Sequence, residues 1–318
     1  MLGALIAVFS ALSFSLSDVS VRRGVARIPA SLGAFVTILL GVPLFAFAAL
    51  VTGQLVRAGD LSGSGYLLLA AAGIVHYVAG RFFNYSAIGA IGAARSSPIQ
   101  SLTLPYSVLV AYFTLDEGVT TGMAIGMGLI LLGPAIIVER RSAPVQVLAP
   151  ELAIETPPSE EPSAEEHFEL RQAEGYLFAF AGAICYGSSP VLIRAALEDA
   201  SGLSILGGFV SYIAAAALLL ATLLVPGRRY FAAAFSVPVF RAFAPAGFFV
   251  FMAQMLRFIA LSLASVAVVA TLLRFAGLFT LMLSWWFNRS LERITWRVVA
   301  GVVMSLAGAV LLVLTRAD

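Results

Sequence analysis

The sequence contains no lysine; all nineteen of its basic residues are arginine. That is a bias of composition and carries no chemistry of its own. Cys185 is the single cysteine, so no intrachain disulfide and no thiolate metal cluster can be assembled. Only two histidines occur, His76 and His167, too few to build a convincing Ser/His/Asp set. Metal-ligand spacing, a phosphate loop and a nucleotide fingerprint are missing, and "AIGAIGAA" at 87–94 contains no GxGxxG pattern. An enzyme, a cofactor and a nucleic-acid partner are therefore not expected.

Above all the chain lacks charge. Charged residues are 11% and hydrophobic residues 60% of 318, whereas a soluble domain is about 25% charged. Most apolar segments have no polar face with which to meet water. The composition implies an all-α, multi-pass integral membrane protein with the lipid bilayer as its solvent, expected in a bacterial inner membrane. The opening "MLGALIAVFSALSFSLSDVS" lacks the basic region and cleavage site of a signal peptide and reads as a retained first span.

A bilayer core of roughly 30 Å needs about 20 apolar residues per helix. Windows of that size fall at 3–21, 32–52, 65–88, 92–113 and 120–138, then at 175–196, 204–225, 243–263, 266–287 and 297–314. The gap 139–174 holds nine of the seventeen acidic residues and five prolines, including "TPPSEEP". Low hydrophobicity with Pro and Glu marks a disordered, solvated linker. The organisation is thus 1–138, a linker at 139–174, and 175–318.

The two halves repeat each other. "GALIAVFSALSFSLSDVSVRRG" from Gly3 aligns with "GYLFAFAGAICYGSSPVLIRAA" from Gly175, placing Arg22 on Arg194. "DEGVTTGMAIGMGLILLG" aligns with "LERITWRVVAGVVMSLAG", placing Glu117 on Glu292, Gly126 on Gly301 and Gly133 on Gly308. Five spans is an odd number, so the second half enters from the opposite face. The expected fold is ten transmembrane helices as two inverted five-helix repeats, a transporter architecture with its substrate site near the midplane.

At this point the chain resembles the drug/metabolite transporter superfamily, with the EamA-like domain repeated twice. The resemblance rests on "SLTLPYSVLVAYFTLDE", with Pro105 and then Glu117, followed by the glycine-rich "GMAIGMGLILLG". The second half keeps the acidic residue and glycines but has Thr280 where Pro105 would fall. The resemblance implies metabolite transport, usually export.

Arginine distribution bears on orientation, because loops rich in Arg favour the cytoplasm. Arg22, Arg23, Arg27, Arg140, Arg141, Arg171, Arg228, Arg229, Arg241, Arg289, Arg293 and Arg297 share one face; Arg57, Arg194 and Arg316 share the other. The count puts the linker inside and the termini outside, whereas the resemblance implies cytoplasmic termini.

Four arginines remain within spans: Arg81, Arg95, Arg257 and Arg274. An arginine at the bilayer centre costs at least about 2.5–3.5 kcal/mol and is a site hypothesis by default. Arg81 and Arg257 occupy corresponding places in the repeats and should face one central cavity. Arg274 lies too deep to snorkel easily; Arg95 could reach the interface. His76, Tyr77, Asn84 and Gln254 complete the candidate substrate set, His76 doubling as the residue easiest to protonate. Asp18 is the one carboxylate well inside a span; it is a coupling group, a counterion of Arg81, or the partner of Arg22 four residues on. Asp116, Glu117 and Glu292 read as caps of the helices that follow them. The small-residue stripes Gly122–Gly126 and Gly301–Gly308 suit close helix packing, within the protomer or across a homodimer.

Three functions fit. Four arginines against one carboxylate favour a carrier of organic anions or zwitterions. A proton-coupled exporter of neutral or cationic compounds would use Asp18. A non-transporting lipid-handling or receptor-like protein would explain the spans but not the duplication.

Overall fold

The computed structural model describes residues 2–115, 119–137, 171–197, 202–224, 229–263, 272–292 and 294–315, with 200 and 269. Of the expected linker 139–174, residues 139–170 lie outside these, while 172–174 already belong to the helix Gln172–Ala196; Asp116, Glu117, Arg228, Arg293 and Arg316 also lie outside. Every regular element among the described residues is helical, and none is a strand.

Helix α1 is Leu2–Val25 and α2 is Ala30–Val51. Arg22 and Arg23 lie in the last turn of α1, where cations complement the helix dipole. Helix α3, Gly63–Ile91, starts at Ser62, whose Oγ accepts from the Gly65 amide at 3.0 Å. Its middle, Ile74–Gly80, is wound as a π-helix, a local widening common at functional sites. It ends at Gly92, with φ +86°, a conformation that a residue with a Cβ rarely adopts.

The fourth window is two helices, α4 Ala93–Gln100 and α5 Thr103–Leu115. Pro105 explains the break: it cannot donate to the Ser101 carbonyl, and its ring clashes with that carbonyl four residues back. Then come α6 Thr121–Ile137, α7 Gln172–Ala196, α8 Ser204–Thr222 and α9 Val237–Leu263. Helix α9 begins six residues before its expected window and carries Arg241 on a helical turn. Of the ninth window, Ala276–Phe287 is helix α10, entered through a turn at Arg274 and Phe275. Helix α11 is Trp296–Leu314.

Among the described residues seven helices are long and apolar enough to cross a bilayer, namely α1, α2, α3, α7, α8, α9 and α11. Helices α6 and α10 are apolar but shorter. The chain is thus a multi-pass helical membrane protein, with the fourth and ninth windows both interrupted.

Serines and small residues join the helices, as expected where lipid gives no hydrophobic drive between them. The hydroxyls of Ser10 and Ser17 donate to the Ala253 and Ala246 carbonyls of α9 at 2.7 and 3.0 Å. Ser15 donates to the Ala276 carbonyl of α10 at 2.7 Å. Phe35, Phe45, Tyr212 and Phe243 form the fully buried aromatic core between α2, α8 and α9.

Helices α6 and α11 meet backbone to backbone. A Cβ at Gly308 would stand 2.6 Å from the Gly126 carbonyl oxygen, and one at Gly301 would stand 2.7 Å from that of Gly133. The glycine stripes therefore face one another inside the protomer. Gly308→Ala should cost about 1–3 kcal/mol by forcing the helices apart, read as a lower melting temperature in detergent. An unchanged melting temperature would mean the seam is loose.

Candidate functional site

A cavity of about 250 Å³ lies where α1, α3, α4, α7 and α9 converge on the two interrupted windows. Its wall takes Asp18 from α1, and His76, Arg81 and Asn84 from α3. Ser97 and Gln100 come from α4, Tyr186 from α7, and Gln254 and Arg257 from α9. Arg274 and Thr280 come from the turn before α10 and from α10 itself. Interrupted helices at corresponding places in two halves are a pointer to a transport site, because they free backbone and side chains to face a cavity.

Arg81, 3% exposed, is fully engaged. Its Nη2 donates to the Tyr212 hydroxyl at 2.8 Å and its Nη1 to Thr37 Oγ1 at 3.3 Å. The Tyr85 hydroxyl donates to the same Thr37 oxygen at 3.2 Å, and Thr37 donates onward to the Gly33 carbonyl at 3.0 Å. The guanidinium carbon also lies 5.1 Å from the Tyr77 ring centroid and 5.4 Å from that of Tyr212. Arg81 therefore ties α2, α3 and α8 together while showing one edge to the cavity.

Arg257 and Arg274 differ. Both are half-buried against the cavity, and the Nε of each is buried with no hydrogen-bond partner among the described residues. Arg257 lies over the Phe258 ring at 5.3 Å. Gln100 Nε2 donates to Asn84 Oδ1 at 3.1 Å, and Asn84 Nδ2 donates to Asp18 Oδ1 at 3.4 Å. Because a carboxylate only accepts, that relay fixes both amides and turns the Gln100 oxygen away from a donor. The Gln100 and Gln254 Oε1 atoms are buried and have no hydrogen-bond partner among the described residues. His76 Nδ1 pairs with Ser189 Oγ at 2.7 Å.

One turn of α1 beyond the cavity lies a second polar layer. Glu292 Oε1 and Oε2 accept from the Ala93 and Ala94 amides at 3.0 Å each, and Ser284 donates to Oε1 at 3.4 Å. Arg22 Nε stands 3.8 Å from the same carboxylate, while Arg22 Nη2 donates to the Leu291 carbonyl at 2.6 Å. Burial pushes the Glu292 carboxyl up, with the Ala94 and Ala93 amides and the Arg22 and Arg95 guanidiniums pulling the other way. Gly92 makes the approach geometrically feasible, since a Cβ there would meet the Glu292 carboxylate at 2.9 Å. At the opposite end of the helices, Gln54 Oε1 accepts from the Ile205 and Leu206 amides at 3.0 Å each. Each end thus has a side chain of one half capping a helix of the other.

The profile of the family described as "EamA-like transporter family" matches residues 1–139 and 173–314. The chain belongs to the EamA-like transporter family. It is a membrane transporter and not an enzyme. A solved structure described as "Crystal structure of protein" is similar over 99% of this chain and 97% of its own, at 17% identity and a TM-score of 0.56. At that identity the likeness speaks for the fold alone. No curated protein matches the chain.

In this EamA-like transporter the cavity gathers Asp18, His76, Arg81, Asn84, Gln254, Arg257 and Arg274, and leaves out Tyr77 and Arg95. Tyr77 is 4% exposed and sits behind Arg81, its ring 3.9 Å from that of Tyr212. Arg95 is 2% exposed and does not snorkel; its charge acts on Glu292. The local Asp18–Arg22 pair is not formed. Arg22 has more donors than one carboxylate absorbs, and it meets Glu292 together with the carbonyls of Leu291 and Gly89. Nor does Glu292 cap its own helix α11; it caps α4, whose first amides are otherwise orphaned. Thr37, Tyr212, Tyr186 and Ser189 were not expected near the site. The only sequence signal for Thr37 was a hydroxyl inside an otherwise apolar span.

Proposed function

We propose that this transporter carries a small organic anion or zwitterion by alternating access, with export as its direction, in a bacterial inner membrane. The observation that carries the reading is the pair of cavity guanidiniums, Arg257 and Arg274, whose Nε atoms are buried without partners among the described residues. Donors of this kind suit a carboxylate or phosphate, which an arginine can grip through two parallel hydrogen bonds. The unpartnered oxygens of Gln100 and Gln254 ask in addition for N–H or O–H groups on the ligand. A volume of about 250 Å³ falls just below the roughly 300–1,000 Å³ of drug-sized sites, so the cargo is a small metabolite.

We assign ten spans in two inverted halves, 1–138 and 175–318, joined by a linker at 139–174. Support comes from the glycine seam. Gly126 and Gly301 are equivalent in the sequence repeat, as are Gly133 and Gly308, and the contacts exchange partners: Gly126 meets Gly308 while Gly133 meets Gly301. Reciprocal contacts of that form accompany a two-fold relation. On this reading the two capped layers, at Glu292 and at Gln54, close the cavity alternately.

One observation favours a second reading, proton-coupled export of neutral or cationic compounds. Asp18 faces the cavity and makes no ion pair among the described residues. A thermal-shift screen of purified protein against metabolites grouped by charge separates the two. A ligand at 100 times its Kd adds about 2.7 kcal/mol to the folded state. Stabilisation by carboxylates or phosphates is expected; stabilisation by cations alone would transfer the site to Asp18.

A further inference from the structure

All three tryptophans of the sequence, Trp285, Trp286 and Trp296, flank a single loop between α10 and α11. They are 60%, 76% and 73% exposed, and Phe287 beside them is 46% exposed. Arginines lie over these rings: Arg289 is 5.6 Å from the Trp285 centroid, Arg297 is 5.9 Å from that of Trp296, and Arg23 is 5.4 Å from that of Phe287. Large exposed rings at the ends of membrane helices mark the headgroup level. Seven large residues of two kinds, four aromatic and three cationic, therefore share one patch at that depth.

The charges in the patch are not internally neutralised. Arg23 spends donors on Asn288 Oδ1 and the Phe287 carbonyl, at 3.1 and 2.7 Å. Among the described residues Arg289 and Arg297 have ring contacts and neither a hydrogen bond nor an ion pair. The carboxylate nearest in sequence, Glu292, is only 6% exposed and is committed to α4 and Arg22. An exposed aromatic surface, rimmed by two cations with no counter-charge among the described residues, is complementary to one kind of neighbour. We propose that this loop is a binding site for an anionic phospholipid headgroup, with Arg289 and Arg297 on the phosphate and the indoles against the upper acyl chains.

The choice of an anionic over a zwitterionic lipid rests on charge: a choline or ethanolamine headgroup brings its own cation, and the patch supplies none of the carboxylates that would receive it. Each arginine near such a surface is worth roughly fivefold in local enrichment of anionic lipid. The same loop carries Asn288 and Glu292, so the bound headgroup sits on the segment that fastens α10 to α1 and α4.

The tryptophans supply the test, because every one of them reports from this patch. The full-length protein is placed in phosphatidylcholine nanodiscs doped with phosphatidylglycerol, or with phosphatidylcholine, brominated at the same upper acyl position. Brominated phosphatidylglycerol is expected to quench the emission more than an equal mole fraction of brominated phosphatidylcholine. In the Arg289→Gln, Arg297→Gln double variant that excess should fall by an order of magnitude in the lipid ratio needed for half-quenching. Equal quenching by the two lipids in the unmodified protein reduces the patch to an ordinary aromatic belt and overturns the proposal. So does an excess that survives the double substitution, or an absence of quenching by either lipid.

Discussion

Arg274→Gln is expected to remove the stabilisation that an organic anion gives to the purified protein, while leaving the unliganded protein at least as stable as before. The first half follows from the site. A hydrogen bond to a charged group contributes about 1.5–3 kcal/mol, so loss of the guanidinium should weaken anion binding roughly 10- to 150-fold. The second half follows from what Arg274 does not do. Its Nε has no partner among the described residues, so no hydrogen bond between them breaks and none of their buried groups is stranded by its removal. A change within about 0.5 kcal/mol is then expected, as at positions free of special contacts, or a gain where a lone cation is relieved. Arg257→Gln should behave in the same way, with less gain because Arg257 has the Phe258 ring beneath it.

Arg81→Gln provides the contrast. Arg81 occupies a matching place in the repeat, yet it is bonded to Tyr212 and Thr37, both fully buried. Its loss strands the Tyr212 hydroxyl at a cost of about 1–3 kcal/mol. Thermal unfolding with and without ligand therefore sorts the arginines into two groups. Should Arg274→Gln lower the unliganded melting temperature as much as Arg81→Gln, Arg274 would be a structural tie and the anion reading would lose its main support.

Glu292→Ala carries the largest expected loss of stability. Removing one partner of a buried pair costs about 3–5 kcal/mol, because the remaining charge is left uncompensated. Here the substitution takes the carboxylate away from the buried Arg22 guanidinium and leaves the Ala93 and Ala94 amides without their acceptor. A double-mutant cycle with Arg22→Gln isolates the pair: the double variant should be less damaged than the sum of the singles by 0.5–3 kcal/mol, within the range for contacting residues. Simple additivity would mean that Glu292 acts on the helix end alone. Gln54→Ala, at the other end, also strands two amides but no charge, and about 1–3 kcal/mol is expected. The two ends are thus fastened with unequal strength.

Much of the helical layout was legible in apolar windows, because lipid imposes a length on every crossing segment. The break at Ser101–Leu102 was legible in principle through Pro98 and Pro105, but a window average hides a kink when both sides are apolar. Seven cavity residues were found as polar groups where polarity is expensive. Their division of labour was not visible. What separates Arg81 from Arg274 is the presence of Thr37 and Tyr212, which are 44 and 131 positions from Arg81. Arg95 shows the same limit, since a position near a span end fits snorkelling and burial equally until the neighbouring loop is placed. The Glu292 cap needed a partner from the other half of the chain, which spacing along one helix cannot supply.

The glycine seam between α6 and α11 has a bearing on stoichiometry. Small residues in a stripe are the usual means by which two membrane helices of separate molecules bind each other. Here both stripes are already filled, each by the other, with backbone oxygens where a second protomer would have to enter. Their valence is spent. Gly126, Gly133, Gly301 and Gly308 are therefore closed to a second protomer, whatever other surface such a protomer uses.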